Sequence, residues 1–166
     1  MAALIQAESS PFELPRVFTS SGAEETISLG ERLALLLEKG SIVALRGPLG
    51  VGKTCFIKGI ARGLGVEEEI TSPTYTIISE YEGVLRGQPA PIYHIDAYRL
   101  RGNDDFSAMG GEEIVFGEGI SLIEWSERIP AFIPPEALRV DIEIKEDEER
   151  LIRIYRERNF HPRGAQ

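Results

Sequence analysis

Hydrophobic positions along the chain divide it into short segments of two periods. Residues Ile42, Val43, Ala44 and Leu45 form an unbroken apolar run entered from Gly40 and Ser41. Such a run predicts a strand buried on both faces. Shortly after it, Phe56, Ile57, Ile60, Ala61 and Leu64 recur at helical spacing, and Gly65 supplies a stop. Upstream, Leu29, Leu33, Leu36 and Leu37 make a helical stripe that ends before Gly40, and Ser21-Gly22-Ala23-Glu24 fits a capping box at its start. Residues 75–81 and 92–96 read as strands joined by a long Gly- and Pro-containing loop over 83–91. Short helices are predicted over 103–109 and 112–116, flanking Gly110 and Gly111, and residues 120–125 form another apolar strand. After Pro130, Pro134 and Pro135, the positions Val140, Ile142 and Ile144 alternate with charged residues. With 151–155 they predict a terminal hairpin covered on one face. The sum is an α/β fold, a three-layer sandwich whose mixed sheet has a parallel centre and antiparallel additions.

Bulk properties narrow the setting. A length of 166 residues with 42% hydrophobic content suits one domain. Residues 1–18, with Pro11 and Pro15, read as a poorly ordered extension, 19–158 as the single domain, and 159–166 as a tail. No apolar run nears the ~20 residues of a membrane span, and residues 1–15 show no secretory pattern. The single cysteine, Cys55, excludes an intrachain disulfide and reads as a small packing residue, so a cytoplasmic setting is expected. Net charge of −9 argues against strong direct gripping of a nucleic-acid backbone. Arg150, Arg153, Arg156, Arg158 and Arg163 are the local exception. They read as a solvated strand face and tail, with a docking patch for an acidic partner or RNA as the alternative.

Chemistry concentrates between the predicted strand over 42–45 and the helix after it. Gly47-Pro48-Leu49-Gly50-Val51-Gly52-Lys53-Thr54 satisfies G-x-x-x-x-G-K-[ST] at every fixed position, in the strand–loop–helix order that a phosphate loop (P-loop) requires. Glycines let the backbone wrap a phosphate chain, Lys53 reaches the β- and γ-phosphates, and the Thr54 hydroxyl holds Mg²⁺. The fold expectation therefore becomes NTPase-like in the P-loop sense. Magnesium also needs an acid at the end of a neighbouring strand. Two strands end that way, one in Asp96 and one in Glu124, and ligands gather at the C-terminal ends of parallel strands. Ser72-Pro73-Thr74 carries a hydroxyl suited to a switch segment, with a plain turn as the other open reading. His94 reads as a packed or hydrogen-bonded strand histidine in preference to a catalytic base. Trp125 reads as a core or rim aromatic, with contact to nucleotide or partner as the alternative.

Taken together, these motifs resemble the TsaE (YjeE) family of bacterial tRNA threonylcarbamoyladenosine biosynthesis ATPases. The resemblance rests on Glu25-Thr26 in the first helix, the loop Gly47 to Thr54, Ser72-Pro73-Thr74-Tyr75-Thr76, His94-Ile95-Asp96-Ala97-Tyr98-Arg99-Leu100, and Ile123-Glu124-Trp125. It covers roughly residues 19–155 in matching order. It implies that Leu49, Gly50, Val51, Gly52 and Lys53 bind the phosphates of ATP, and that Thr54 and Glu124 ligate Mg²⁺. It implies that Asp96 is the acid needed for hydrolysis, that Thr74 belongs to a switch-like segment, and that Trp125 lies near the nucleotide. It further implies an ATPase that is weak alone and works with the TsaB and TsaD proteins. TsaD transfers the threonylcarbamoyl group to adenosine 37 of tRNAs reading codons that begin with A, so tRNA is met indirectly. The extension before residue 18 and the enlarged 83–91 loop depart from the family pattern. A small-molecule P-loop kinase is the alternative function, with residues 99–109 as its lid, although no acceptor motif is evident. No Asn-Lys-x-Asp guanine motif occurs, which leaves base choice open.

Overall fold

The computed structural model describes residues 13–71 and 76–157. Seven strands form one sheet: β1 (Arg16–Ser20), β2 (Ile42–Arg46), β3 (Ile78–Leu85), β4 (Gln88–Asp96), β5 (Ile120–Glu124), β6 (Leu138–Ile144) and β7 (Arg150–Tyr155). Their order across the sheet is β1-β7-β6-β2-β5-β4-β3. The four central strands, β6, β2, β5 and β4, are mutually parallel. β7 and β1 add antiparallel on one side, and β3 on the other. The fold is thus a mixed α/β architecture on a mixed sheet.

Strand β2 is buried along Ile42, Val43, Ala44 and Leu45, as its unbroken apolar run demands. Its side chains split between two cores. Val43 and Leu45 pack with Leu33, Phe56 and Ile60, whereas Ile42 and Ala44 pack with Ile95, Phe106 and Phe132. Helices α1 (Ala23–Ala34) and α2 (Lys53–Gly63) therefore cover one face. The short helices α3 (Asn103–Ala108) and α4 (Gly111–Val115) cover the other. Terminal strands β6 and β7 alternate buried and accessible residues, the pattern of a hairpin covered on one face. Helices α1 and α2 approach almost backbone to backbone. A Cβ on Gly30 would strike the Phe56 carbonyl oxygen, and one on Gly59 the Ile27 carbonyl oxygen.

Four sequence expectations need correction. The 83–91 segment is no enlarged loop: β3 runs to Leu85, β4 begins at Gln88, and only Arg86 and Gly87 turn between them, with φ of 50° and 80°. That is the left-handed pair a tight hairpin with the twist of its strands requires. Pro89 and Pro91 mislead because β5 pairs with β4 only from Ile92 onward. Both prolines fall where β4 has a free edge and a missing N–H is tolerated. The first strand of this hairpin begins at Ile78 rather than at residue 75, and Tyr75 lies outside the described residues. The extension assigned to 1–18 ends sooner, because Arg16, Val17 and Phe18 pair with Ile154, Arg153 and Ile152 in β1. Finally, the first helix is capped one residue later than the motif suggested. Gly22 occupies the cap, and the Ser21 backbone N–H and hydroxyl both donate to Glu25, at 2.8 Å each, rather than to Glu24. Among the described residues, no helix is long and apolar enough to cross a membrane.

Candidate active site

Three glycines shape the link between β2 and α2. Gly47, Gly50 and Gly52 take φ of 152°, 75° and 113°, values that a side chain opposes. At Gly47 a Cβ would also meet the Ile142 carbonyl oxygen and Val51. The chain then enters α2 directly at Lys53, so the positive end of the helix dipole sits under the loop. Leu49 stands at the tip, 78% exposed, while Val51 is buried against the core. The Lys53 ammonium group is drawn back over its own loop. It donates to the carbonyls of Gly47 and Pro48 (the latter at 3.0 Å) and lies 4.1 Å from the centre of the Trp125 ring. Lys53 is only 4% exposed. Burial pushes its pKa below the ordinary value, opposed by the charges of Glu124, Glu127 and Asp96.

Parallel pairing of β4 and β5 sets Asp96 directly beside Glu124, and pairing of β2 with β5 sets Leu45 on Glu124's other side. Both predicted acids thus reach the end of the sheet where the loop begins. Thr54, in the first turn of α2, donates its hydroxyl to the Glu124 carboxylate, 3.1 Å from Oε1 and 3.3 Å from Oε2. From the other side, His94 Nε2 lies 2.6 Å from Glu124 Oε2. Glu124 is 4% exposed and His94 fully buried. Asp96 is half-buried and accepts the Tyr98 backbone N–H through Oδ1 at 3.1 Å, capping the turn over Ala97–Arg99. Trp125 follows Glu124 with a left-handed φ of 57° and packs its ring 4.9 Å from that of Tyr98.

The loop residues Gly50, Gly52, Lys53 and Thr54 and the side chains of Glu124 and Trp125 therefore converge, with Asp96 at the next strand end. Thr74 lies outside the described residues, as do Ser72, Pro73 and Tyr75. Thr54, Glu124 and Asp96 offer hard oxygen donors, the chemistry that suits Mg²⁺. Among the described residues no three His, Cys, Asp or Glu side chains gather into a cage. Mg²⁺ is commonly held by one or two carboxylates together with phosphate oxygens of a substrate.

Two residues make contacts at the site that the sequence does not specify. His94, which reads as a packed or hydrogen-bonded strand histidine, has the Glu124 carboxylate on the next strand as its partner. Arg150 was grouped with the C-terminal arginines. It stands at the start of β7, where Nε donates to the Val51 carbonyl of the loop at 2.9 Å and Nη1 to Glu148 O at 2.8 Å. The described arginines do not form one patch. Arg153 pairs with Glu143 at 2.7 Å, and Arg156 lines a cleft with Gly40 and Phe116. Arg158 and Arg163 lie outside the described residues. No spacing rule would have separated these arginines, because their places follow from strand order. A cleft of about 730 Å³ runs along the loop between Thr26 of α1 and Arg150, and also includes Gly52, Cys55 and Ile144.

The family model described as "Threonylcarbamoyl adenosine biosynthesis protein TsaE" matches residues 20–153. A tRNA threonylcarbamoyladenosine biosynthesis protein TsaE from Treponema pallidum is 42% identical over 135 residues, covering 81% of this chain and 96% of the relative. The protein of the same name from Bacillus subtilis is 41% identical, covering 78% of each, and that from Aquifex aeolicus is 36% identical, covering 87% of this chain and 98% of the relative. The crystal structure of YdiB from Bacillus subtilis superimposes with a TM-score of 0.65 at 36% identity, over 86% of this chain and 87% of that one. By family match, sequence identity and fold alike, the chain belongs to the TsaE family.

Proposed function

We propose that the protein is an Mg²⁺-dependent, ATP-binding and ATP-hydrolysing subunit for threonylcarbamoyladenosine formation at position 37 of tRNA, acting in the cytoplasm with TsaB and TsaD. The observation that carries this reading is the meeting of the Thr54 hydroxyl with the Glu124 carboxylate at 3.1 Å, one residue past Lys53 on the phosphate loop. A phosphate chain laid along residues 49–54 takes the loop N–H groups and the helix dipole end as its cradle. Lys53 then exchanges its bonds to the Gly47 and Pro48 carbonyls for phosphate oxygens, and Trp125 keeps the ammonium group aimed at the loop. Thr54 and Glu124 would hold Mg²⁺, which supplies neutralising charge between the phosphates. Asp96, at the next strand end, orients the attacking water, and the cleft between Thr26 and Arg150 gives the nucleoside room beside the loop. Catalysis is electrostatic: fixed donors meet charge that builds on the transferred phosphoryl group.

Turnover is expected to be weak alone and to rise with TsaB and TsaD present; the acidic chain leaves most contact with tRNA to its partners. The test is ATP hydrolysis by the full chain with and without both partners. Lys53→Ala and Asp96→Ala are each expected to lower partner-stimulated turnover about 100-fold or more. Full turnover by both variants would sink the assignment. Phosphate appearing on a metabolite without any need for partners would instead indicate a small-molecule kinase.

A further inference from the structure

We infer that His94 is a positioning residue for the metal-site carboxylate: it holds Glu124 through Oε2 and leaves Oε1, the oxygen nearer the Thr54 hydroxyl, for the cation. The inference rests on the proposed Mg²⁺–nucleotide reading of the site.

The geometry is specific. His94 is fully buried on β4, in register with Leu122, two residues before Glu124 on the neighbouring strand. Its Nε2 lies 2.6 Å from Glu124 Oε2, just under the usual range for a bond from nitrogen to a charged acceptor. Its Nδ1 is buried without a hydrogen-bond partner among the described residues. An orphaned lone pair is a smaller loss than an orphaned N–H, so the proton belongs on Nε2, where it is donated to Glu124. The carboxylate is then bound on both sides, by His94 from β4 and by Thr54 from α2. A glutamate has three rotatable side-chain bonds, and a donor on Oε2 removes that freedom before any cation arrives. Outer partners of this type orient a metal ligand, and their loss commonly lowers metal affinity 10- to 100-fold. Among the described residues Asp96 has no such side-chain partner, only the Tyr98 backbone N–H, so the bracing belongs to one acid of the two.

The experiment is calorimetric binding of ADP to the full chain with and without Mg²⁺, supported by Mn²⁺ titration followed by electron paramagnetic resonance. Wild type should bind ADP more tightly with Mg²⁺. His94→Leu should lose about 10- to 100-fold in cation affinity while keeping its cation-free ADP affinity, and His94→Gln, whose amide restores a donor, should recover most of the loss. An undiminished gain in His94→Leu overturns the positioning role alone. No Mg²⁺-dependent gain in wild type overturns the site reading, and this role with it. If His94→Leu does not fold, ring ¹⁵N spectra of wild type decide. The only other histidine is His161, so assignment is simple. A proton on Nδ1 rather than Nε2 would overturn the inference.

Discussion

Two adjacent strands end in acids that look alike in sequence and differ in the folded chain. Glu124 ends β5 between two parallel strands, buried, with the Thr54 hydroxyl reaching both its oxygens and His94 bonded to Oε2. Asp96 ends β4 one strand nearer the edge, half-buried, and accepts a backbone N–H from the turn that follows. The difference lies in their neighbours. β5 is flanked by β2 and β4, so Glu124 meets side chains delivered from both directions. Asp96 has one flank in β3, whose pairing begins at Ile78 opposite Ile95. An apolar strand with a terminal acid therefore identifies a place at the site but not a role within it. A held acid suits a cation; an acid with freedom suits a reacting water.

The largest expected effect separates those roles. Asp96→Ala and Glu124→Ala should both lower partner-stimulated ATP hydrolysis about 100- to 1,000-fold. Only Glu124→Ala should also abolish the Mg²⁺-dependent gain in ADP affinity, measured by calorimetry. Equal loss of that gain in both variants would erase the distinction.

Stability offers the next contrast. Glu124→Gln places an amide where two donors already point, and should destabilise the chain by about 1–3 kcal/mol in urea unfolding. Asp96→Asn preserves a good capping residue and should stay within about 0.5 kcal/mol. A smaller cost at Glu124 than at Asp96 would contradict the burial argument.

Lys53 reads both acids electrostatically. Burial lowers its pKa from the usual 10.5, and Glu124 opposes that shift more than Asp96 does. Between the lowered folded value and about 10.5, the unfolded chain binds more protons than the folded one, so this group's contribution to stability rises with pH across that window. Lys53→Met should flatten the rise in urea unfolding at successive pH values. Glu124→Gln should drop the Lys53 pKa further than Asp96→Asn does, as read from its side-chain NMR shifts. Phosphate binding, which favours the charged ammonium, should be accompanied by proton uptake in that window. The smallest effect belongs to Trp125→Phe, which keeps a ring over Lys53. It should weaken ADP binding by less than about five-fold, the scale of a partial cation–π loss.

Much of this was legible locally. The loop, the buried strand before it and the helix after it are written in contiguous residues, because glycine conformation and side-chain period act over a few positions. Asp96 and Glu124 were found the same way, at the ends of apolar runs. The short turn of the β3–β4 hairpin is not legible in the sequence because Pro89 and Pro91 look like loop punctuation, and only the staggered pairing of β5 shows that they sit on a free edge. Strand β1 is not legible locally because Arg16–Ser20 acquires its meaning from β7, more than a hundred residues away.

By itself, the sequence determined a phosphate-loop motif that ends in Lys53 and Thr54 at the start of a helix, and two acids at the ends of apolar strands. The tertiary structure alone decided which acid is gripped and by what. It laid β4, β5 and β2 side by side, so that His94 and Thr54 converge on Glu124 from segments 30 and 70 residues distant. It also carried Arg150 across 99 residues to the loop. Local period and glycine geometry are encoded residue by residue. Strand order is set by how all the apolar faces are buried at once, and no short stretch of the chain contains that information.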